Sequence, residues 1–253
     1  MLGAPLLVFL ALPVCVLVAR TPFHAVVSEL ASVETRSAIA VSVVTSAISL
    51  ALTVAMGTPL AYWLSLPRAA RARGVAVAEA LVDLPTVLPP AVAGVALLFL
   101  LGRSGAAGGI LDRVGLGVAF TPAAVVLAQV FVAAPYYVRS ARAGFEAVAV
   151  DVREAAALDG ARGVTFAWRV LVPAAAPSLA AGAAMSWSRA IGEFGATVIF
   201  AGNLPGSTQT VPLAIYLGLE QGTDRPLILA TVMIAISLAT LGGLRLLGGR
   251  VAR

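Results

Sequence analysis

The chain has 253 residues, 60% hydrophobic and only 11% charged, and its mean hydropathy of +0.99 excludes an ordinary water-soluble fold. Its formal charge of +5 comes from 17 basic residues that are all arginine, so no lysine can grip nucleotide phosphates or form a Schiff base. One cysteine and one histidine exclude an intrachain disulfide and a Cys or His metal cluster.

Charge-free runs at 2–19, 37–67, 84–102, 114–138, 170–188 and 226–244 each approach or exceed the roughly 20 residues that cross a bilayer as helix. An all-α integral membrane protein with about six transmembrane helices is expected, forming a single transmembrane domain over 1–253. The first run lacks a basic start and leaves through Val18-Ala19-Arg20, a poor cleavage site, so it reads as a span rather than a secretion signal. Cys15 reads as a small buried apolar residue of that span, and His24, in the loop beyond, is assigned no role.

The second run carries Ser42, Thr45, Ser46, Ser49, Thr53 and Thr58, small hydroxyl residues that let helices approach closely, so one face should meet protein. Gly57 and Pro59 are expected to bend or end it before the Arg68 to Arg73 turn. The third run enters through Pro85, Pro89 and Pro90, whose freed carbonyls must be buried in protein or line a wet cavity. A glycine-rich external loop over 102–121 then leads to a fourth span from Pro122 to about Val138.

The segment of about 139–172 is the longest between spans and holds five arginines and four acids, Glu146, Asp151, Glu154 and Asp159. A fifth span is expected from about Pro173 to Phe200 and a sixth from Pro226 to about Leu247. Between them, 201–210 is too polar for lipid and belongs outside the membrane or in a wet vestibule. If loops alternate sides, one side holds Arg68, Arg71, Arg73, Arg139, Arg142, Arg153, Arg162, Arg169, Arg245, Arg250 and Arg253. The other holds only Arg20, Arg36, Arg103, Arg113 and Arg225, so the first side, with both termini, should be cytoplasmic.

Within that cytoplasmic segment, Glu154-Ala155-Ala156-Ala157-Leu158-Asp159-Gly160 is followed, after nine residues, by Val170-Leu171-Val172-Pro173. Physically this is a short helix stopped by glycine, a second helical stretch, and a proline that opens the next span. The pattern resembles the cytoplasmic signature of the inner-membrane permeases of binding-protein-dependent ABC importers: Glu-Ala-Ala, three residues, Gly, nine residues, Ile, one residue, Leu-Pro. Glu154, Ala155, Ala156, Gly160, Val170, Val172 and Pro173 carry the match, with Val170 and Val172 standing for Ile and Leu.

The resemblance implies a coupling-helix loop between the fourth and fifth spans that docks in a groove of a separate ATPase subunit. Ala155 and Ala156 permit close approach there, and Glu154 and Asp159 are available to basic groups on that partner. ATP is then bound by the partner, and no cofactor or metal is expected in this chain. A narrower resemblance, over 189–203 and 205–216 and over 84–94 with Leu88-Pro89-Pro90, is to the molybdate branch of the family. It implies a non-catalytic permease of the bacterial inner membrane, expected as a homodimer served by two ATPase copies and an external oxyanion-binding protein. Molybdate is the expected cargo, with sulfate, thiosulfate or tungstate as alternatives.

Arg189 and Glu193 are four apart in the expected fifth span and share a helix face on which they can neutralise each other. Two readings stand open: a structural pair that fixes helix packing, or a pair beside the gate or anion path. Thr197, Ser207, Thr208 and Gln209 add donors able to contact an anion weakly enough to release it. An intramembrane enzyme needs paired acids or a histidine inside a span, and an ion-coupled carrier needs more buried acids or paired broken helices. Glu193 alone is thin support for either.

Overall fold

In lipid every backbone amide must find its partner inside the chain. The computed structural model describes residues 4–66, 74–161, 163–222 and 224–251, and among them the regular structure is helical. Arg68, Arg71, Arg73, Arg162 and Arg253 of the arginine count lie outside the described residues. The α-helices are α1 (Ala4–Arg20), α2 (Val26–Ala31), α3 (Val33–Ser65), α4 (Val75–Val87), α5 (Pro90–Leu101), α6 (Gly108–Arg113) and α7 (Pro122–Glu146). They continue as α8 (Val150–Leu158), α9 (Gly163–Phe166), α10 (Val172–Ala174), α11 (Ala176–Ile191), α12 (Gly195–Phe200), α13 (Val211–Gln221) and α14 (Arg225–Val251). A π-helical turn, Ala167–Leu171, joins α9 to α10.

Three of these helices are long and apolar enough to cross a membrane alone: α3, α7 and the Arg225–Gly243 part of α14. Three more crossings arise if each bent pair is one span: Ala4–Arg20 with Phe23–Ala31, α4 with α5, and Gly163–Ala174 with α11. The expectation of about six spans is met in this form, though only three of them are single unbroken helices.

Several boundaries differ from the sequence expectation. Pro59 itself does not end α3, which runs through it and stops at Ser65, ahead of Arg68 as expected. The third run is not one rod, because α4 and α5 meet at 119° across Leu88 and Pro89. Pro89 offers no N–H to continue α4, and Pro90, with its fixed φ, starts α5. The fourth span does not stop at Val138 but continues to Glu146, so the loop expected from 139 begins only at Ala147. The fifth span is interrupted at Gly192, and α13 occupies a stretch for which no helix was expected. Cys15 is exposed on the isolated chain rather than buried, because α1 has no buried residue and presents its apolar side chains outward, as a lipid-facing helix does.

α7 is the central post, packed on α3, α11, α4, α5 and α12. Its buried face includes Ala124, Ala128, Ala133, Ala141 and Gly144, and on α3 Gly57 lies against Tyr137 and Val138 while Ala61 is buried with Ala141. Small facing residues bring backbones close, which is how helices gain dispersion energy when lipid removes the hydrophobic drive. One core cluster joins Ala61, Leu64, Tyr137, Phe145, Leu171 and Ala175, and a second joins Ala93, Leu97, Val125, Ala128, Ala196 and Phe200.

The hydroxyl stripe expected to face protein does so, and several of its members are used. Ser42 Oγ accepts the Val211 N–H at 2.7 Å, and Ser46 Oγ accepts the Trp187 indole N–H at 3.1 Å. Thr58 Oγ1 donates to Val54 O at 2.7 Å, which leaves the Tyr137 hydroxyl as the donor in its 2.6 Å contact with Thr58.

Candidate functional site

The segment between α7 and α11 is tied to the bundle at both ends. Arg153 of α8 donates through Nε to Val148 O at 3.2 Å and through Nη2 to Phe145 O, which ties α8 to the last turn of α7 and to the residues just past it. At the other end Leu171, 1% exposed, is buried with Tyr137, Phe145 and Ala175, and Val172 packs beside it. Gly160 takes φ +78°, a left-handed conformation that ends α8 and that a side chain disfavours. Gly163–Ala174 runs through α9 and the π-helical turn into α10, and the chain then bends by 77° into α11.

Between these anchors the segment shows its side chains to the outside. Glu154, Ala155 and Asp159 are exposed, whereas Ala156 is buried. Val170 and Val172 are half-buried, and Pro173 is exposed at the start of α10. Beside them Val150, Leu158, Val164 and Trp168 are exposed at 64%, 89%, 74% and 62%. Leu158 and Trp168 were not singled out from sequence; their signal was an apolar residue inside a charged stretch. Leu171 was passed over because the motif leaves its position open.

A second set of charges went unread in the sequence. Arg139 of α7 meets Asp83 of α4 through Nε at 2.7 Å and reaches Thr86 Oγ1 at 3.5 Å. One turn on, Arg142 pairs with Glu79 of α4 and with Glu146 of its own helix, both at 2.8 Å. The spacings 79/83 and 139/142 put each pair of like charges on one helix face, so the two helices clasp along a line.

Arg189 and Glu193 do pair, Nη1 to Oε2 at 2.7 Å, although Glu193 lies just past the Gly192 end of α11. The other carboxylate oxygen accepts the Ala196 N–H at 2.8 Å, in the first turn of α12. Glu193, 1% exposed, therefore bridges the last turn of one helix to the first turn of the next, at an N-terminus where negative charge is favoured. Arg189 keeps 27% exposure.

The other polar candidates lie close to that junction or in the loop after α12. Thr197 is fully buried, and its Oγ1 has no hydrogen-bond partner among the described residues. Thr208 Oγ1 accepts the Leu204 N–H at 3.1 Å, and Gln209 Nε2 donates to Asn203 Oδ1 at 3.0 Å, so both stitch the loop. Ser207 is half-buried. Among the described residues no three His, Cys, Asp or Glu side chains converge to hold a metal ion.

Apolar helices in this number, several of them broken, with a short helical segment left between two of them, define a multi-pass membrane protein. The chain belongs to the family described as binding-protein-dependent transport system inner membrane component, whose model matches residues 57–252. It is 38% identical over 231 residues to the molybdenum transport system permease protein ModB of Mycobacterium bovis, covering 91% of this chain and 86% of that protein. It is 37% identical over 172 residues to a probable sulfate transport system permease protein of Chlorokybus atmophyticus, covering 68% of this chain and 60% of that one. Its fold is shared with a bacterial alginate ABC transporter solved with an alginate pentasaccharide-bound periplasmic protein, at TM-score 0.73 and 18% identity, covering 98% of this chain and 91% of that one. The chain is accordingly an importer permease, a membrane component rather than an enzyme.

Proposed function

We propose that this permease passes molybdate into the cytoplasm as one half of a homodimer, driven by two ATPase subunits and loaded by an extracytoplasmic binding protein. The observation that carries the coupling part is the exposed apolar surface on α8, α9 and the π-helical turn. Leu158 and Trp168 lie on a segment too short and too charged to be lipid-covered, and exposed apolar side chains there call for a protein partner. Glu154 and Asp159 flank that surface and meet basic groups on the ATPase, while the buried Leu171 converts its motion into motion of α11. Gly160 sets the angle between docking helix and climbing segment.

Molybdate is favoured over sulfate because the molybdenum permease matches 91% of this chain and the sulfate permease 68%. The arginine bias supports both termini on the cytoplasmic side. Of the polar candidates, Arg189 and Ser207 keep exposed surface and form the pathway wall, which the buried Glu193, Thr197, Thr208 and Gln209 hold in shape.

The test is ATP-dependent uptake of labelled molybdate into vesicles holding the permease, its ATPase and its binding protein, with sulfate as competitor. Wild-type uptake that Glu154→Lys or Gly160→Val removes, with ATPase binding weakened, supports the assignment. Uptake without any ATPase, or sulfate outcompeting molybdate, overturns it.

A further inference from the structure

We propose that α4 is a second transmission strut, carrying motion of the ATPase-docking segment to the Arg189–Glu193 junction by a route separate from the covalent one through α11. The inference rests on the importer reading above.

The covalent route enters α11 at its first residue, Ala176, and must cross the helix to reach Arg189, about 20 Å away at 1.5 Å per residue. The strut reaches the junction through α12 instead. Its first link is Arg153, which holds α8 to the Phe145 and Val148 carbonyls, so displacing α8 drags the end of α7. Its second link is the clasp: Arg142 to Glu79 and Arg139 to Asp83 bind that end of α7 to one face of α4. Its third link is the 119° elbow at Leu88 and Pro89, which turns displacement of α4 into tilt of α5.

The fourth link is close packing of α5 on α12. A Cβ on Gly94 would stand 2.8 Å from Ala196 O, and one on Gly195 would stand 2.8 Å from Pro90 Cβ, so the two helices have no slack between them. Tight interiors pass displacement on rather than absorbing it. Ala196 is the residue whose N–H Glu193 holds while pairing with Arg189, so tilt of α5 acts directly on the junction.

The clasp residues are about one quarter to one half exposed, where ion pairs add little stability. Their value is geometric: they choose which face of α4 rides on α7 and allow the two to separate. Neutralising them should leave the fold standing and change what the complex does. Asp83, Glu79, Arg139 and Arg142 are thus positioning residues, and spatial continuity alone is not coupling, so the test must measure coupling itself.

The experiment uses the full complex in vesicles, with ATP hydrolysis stimulated by the binding protein and molybdate uptake read in the same preparation. The double variant Glu79→Gln/Asp83→Asn is expected to hydrolyse ATP within about twofold of wild type while uptake per ATP falls about tenfold. The charge swap Asp83→Arg/Arg139→Asp is expected to restore at least half of the uptake that Asp83→Asn removes. Hydrolysis and uptake falling in proportion, uptake per ATP left unchanged, or a swap that restores nothing would each overturn the strut while leaving the importer reading intact. No ATP-dependent uptake by the wild-type complex would sink both.

Discussion

The two oxygens of Glu193 are separable, and that makes the α11–α12 junction a quantitative test. One oxygen meets the Arg189 guanidinium at 2.7 Å and the other takes the Ala196 N–H at 2.8 Å. At an effective dielectric constant of about 20 the bare attraction is roughly 6 kcal/mol, most of it offset by desolvation. Removing one partner of a buried pair costs about 3–5 kcal/mol because a charge is stranded, and a helix cap is worth about 1 kcal/mol. Glu193→Gln keeps an acceptor for Ala196 and strands Arg189, which is 27% exposed, so the loss falls near the low end, about 3 kcal/mol. Glu193→Ala also forfeits the cap and costs about 4 kcal/mol. Arg189→Met strands a carboxylate that is 1% exposed, so it costs the most, about 5 kcal/mol. The double variant Arg189→Met/Glu193→Gln strands nothing and regains most of the loss. Thermal unfolding in detergent, followed by tryptophan fluorescence, resolves these steps at about 2 °C per kcal/mol for a chain of this length. Losses that simply add in the double variant, or Glu193→Gln as damaging as Arg189→Met, would refute the reasoning.

Three further outcomes follow from single contacts. Gly94→Ala forces a Cβ to within 2.8 Å of the Ala196 carbonyl and should cost about 1–3 kcal/mol, whereas Gly242→Ala, with nothing within 4 Å, should be neutral or slightly stabilising; paired melting curves decide. Ser42→Ala strips the acceptor from the buried Val211 N–H and should cost about 1–3 kcal/mol, with faster hydrogen exchange in peptides that begin α13. Tyr137→Phe removes the donor to Thr58, which still bonds to Val54 O, so the thermal midpoint should fall by no more than about 1 kcal/mol equivalent.

Much of the fold was legible because lipid simplifies the problem. Uncharged runs of about 20 residues have few alternatives to a membrane helix, and the hydroxyl stripe from Ser42 to Thr58 correctly announced a face that meets protein. Breaks inside apolar runs were harder. Pro59 and Pro89 look alike to a sequence rule, yet α3 continues through the first and the chain turns by 119° at the second. At Pro59 a single N–H is missing and the turns on either side hold α3, whereas Pro89 is followed at once by Pro90, and two missing N–H groups in succession stop the ladder. Apolarity also says nothing of direction: α1 is more hydrophobic than the central α7, yet Cys15 on it faces outward.

The candidate site divides along the same line. The Glu154 to Pro173 motif was visible because its spacing is local, and so was the Arg189–Glu193 pair, four residues apart. The clasp was invisible because Arg139 and Asp83 are 56 positions apart, and a local pattern does not say that α4 packs on α7. A spacing of four is read within one helix, whereas a pair joined across two helices needs the packing that only the folded chain supplies.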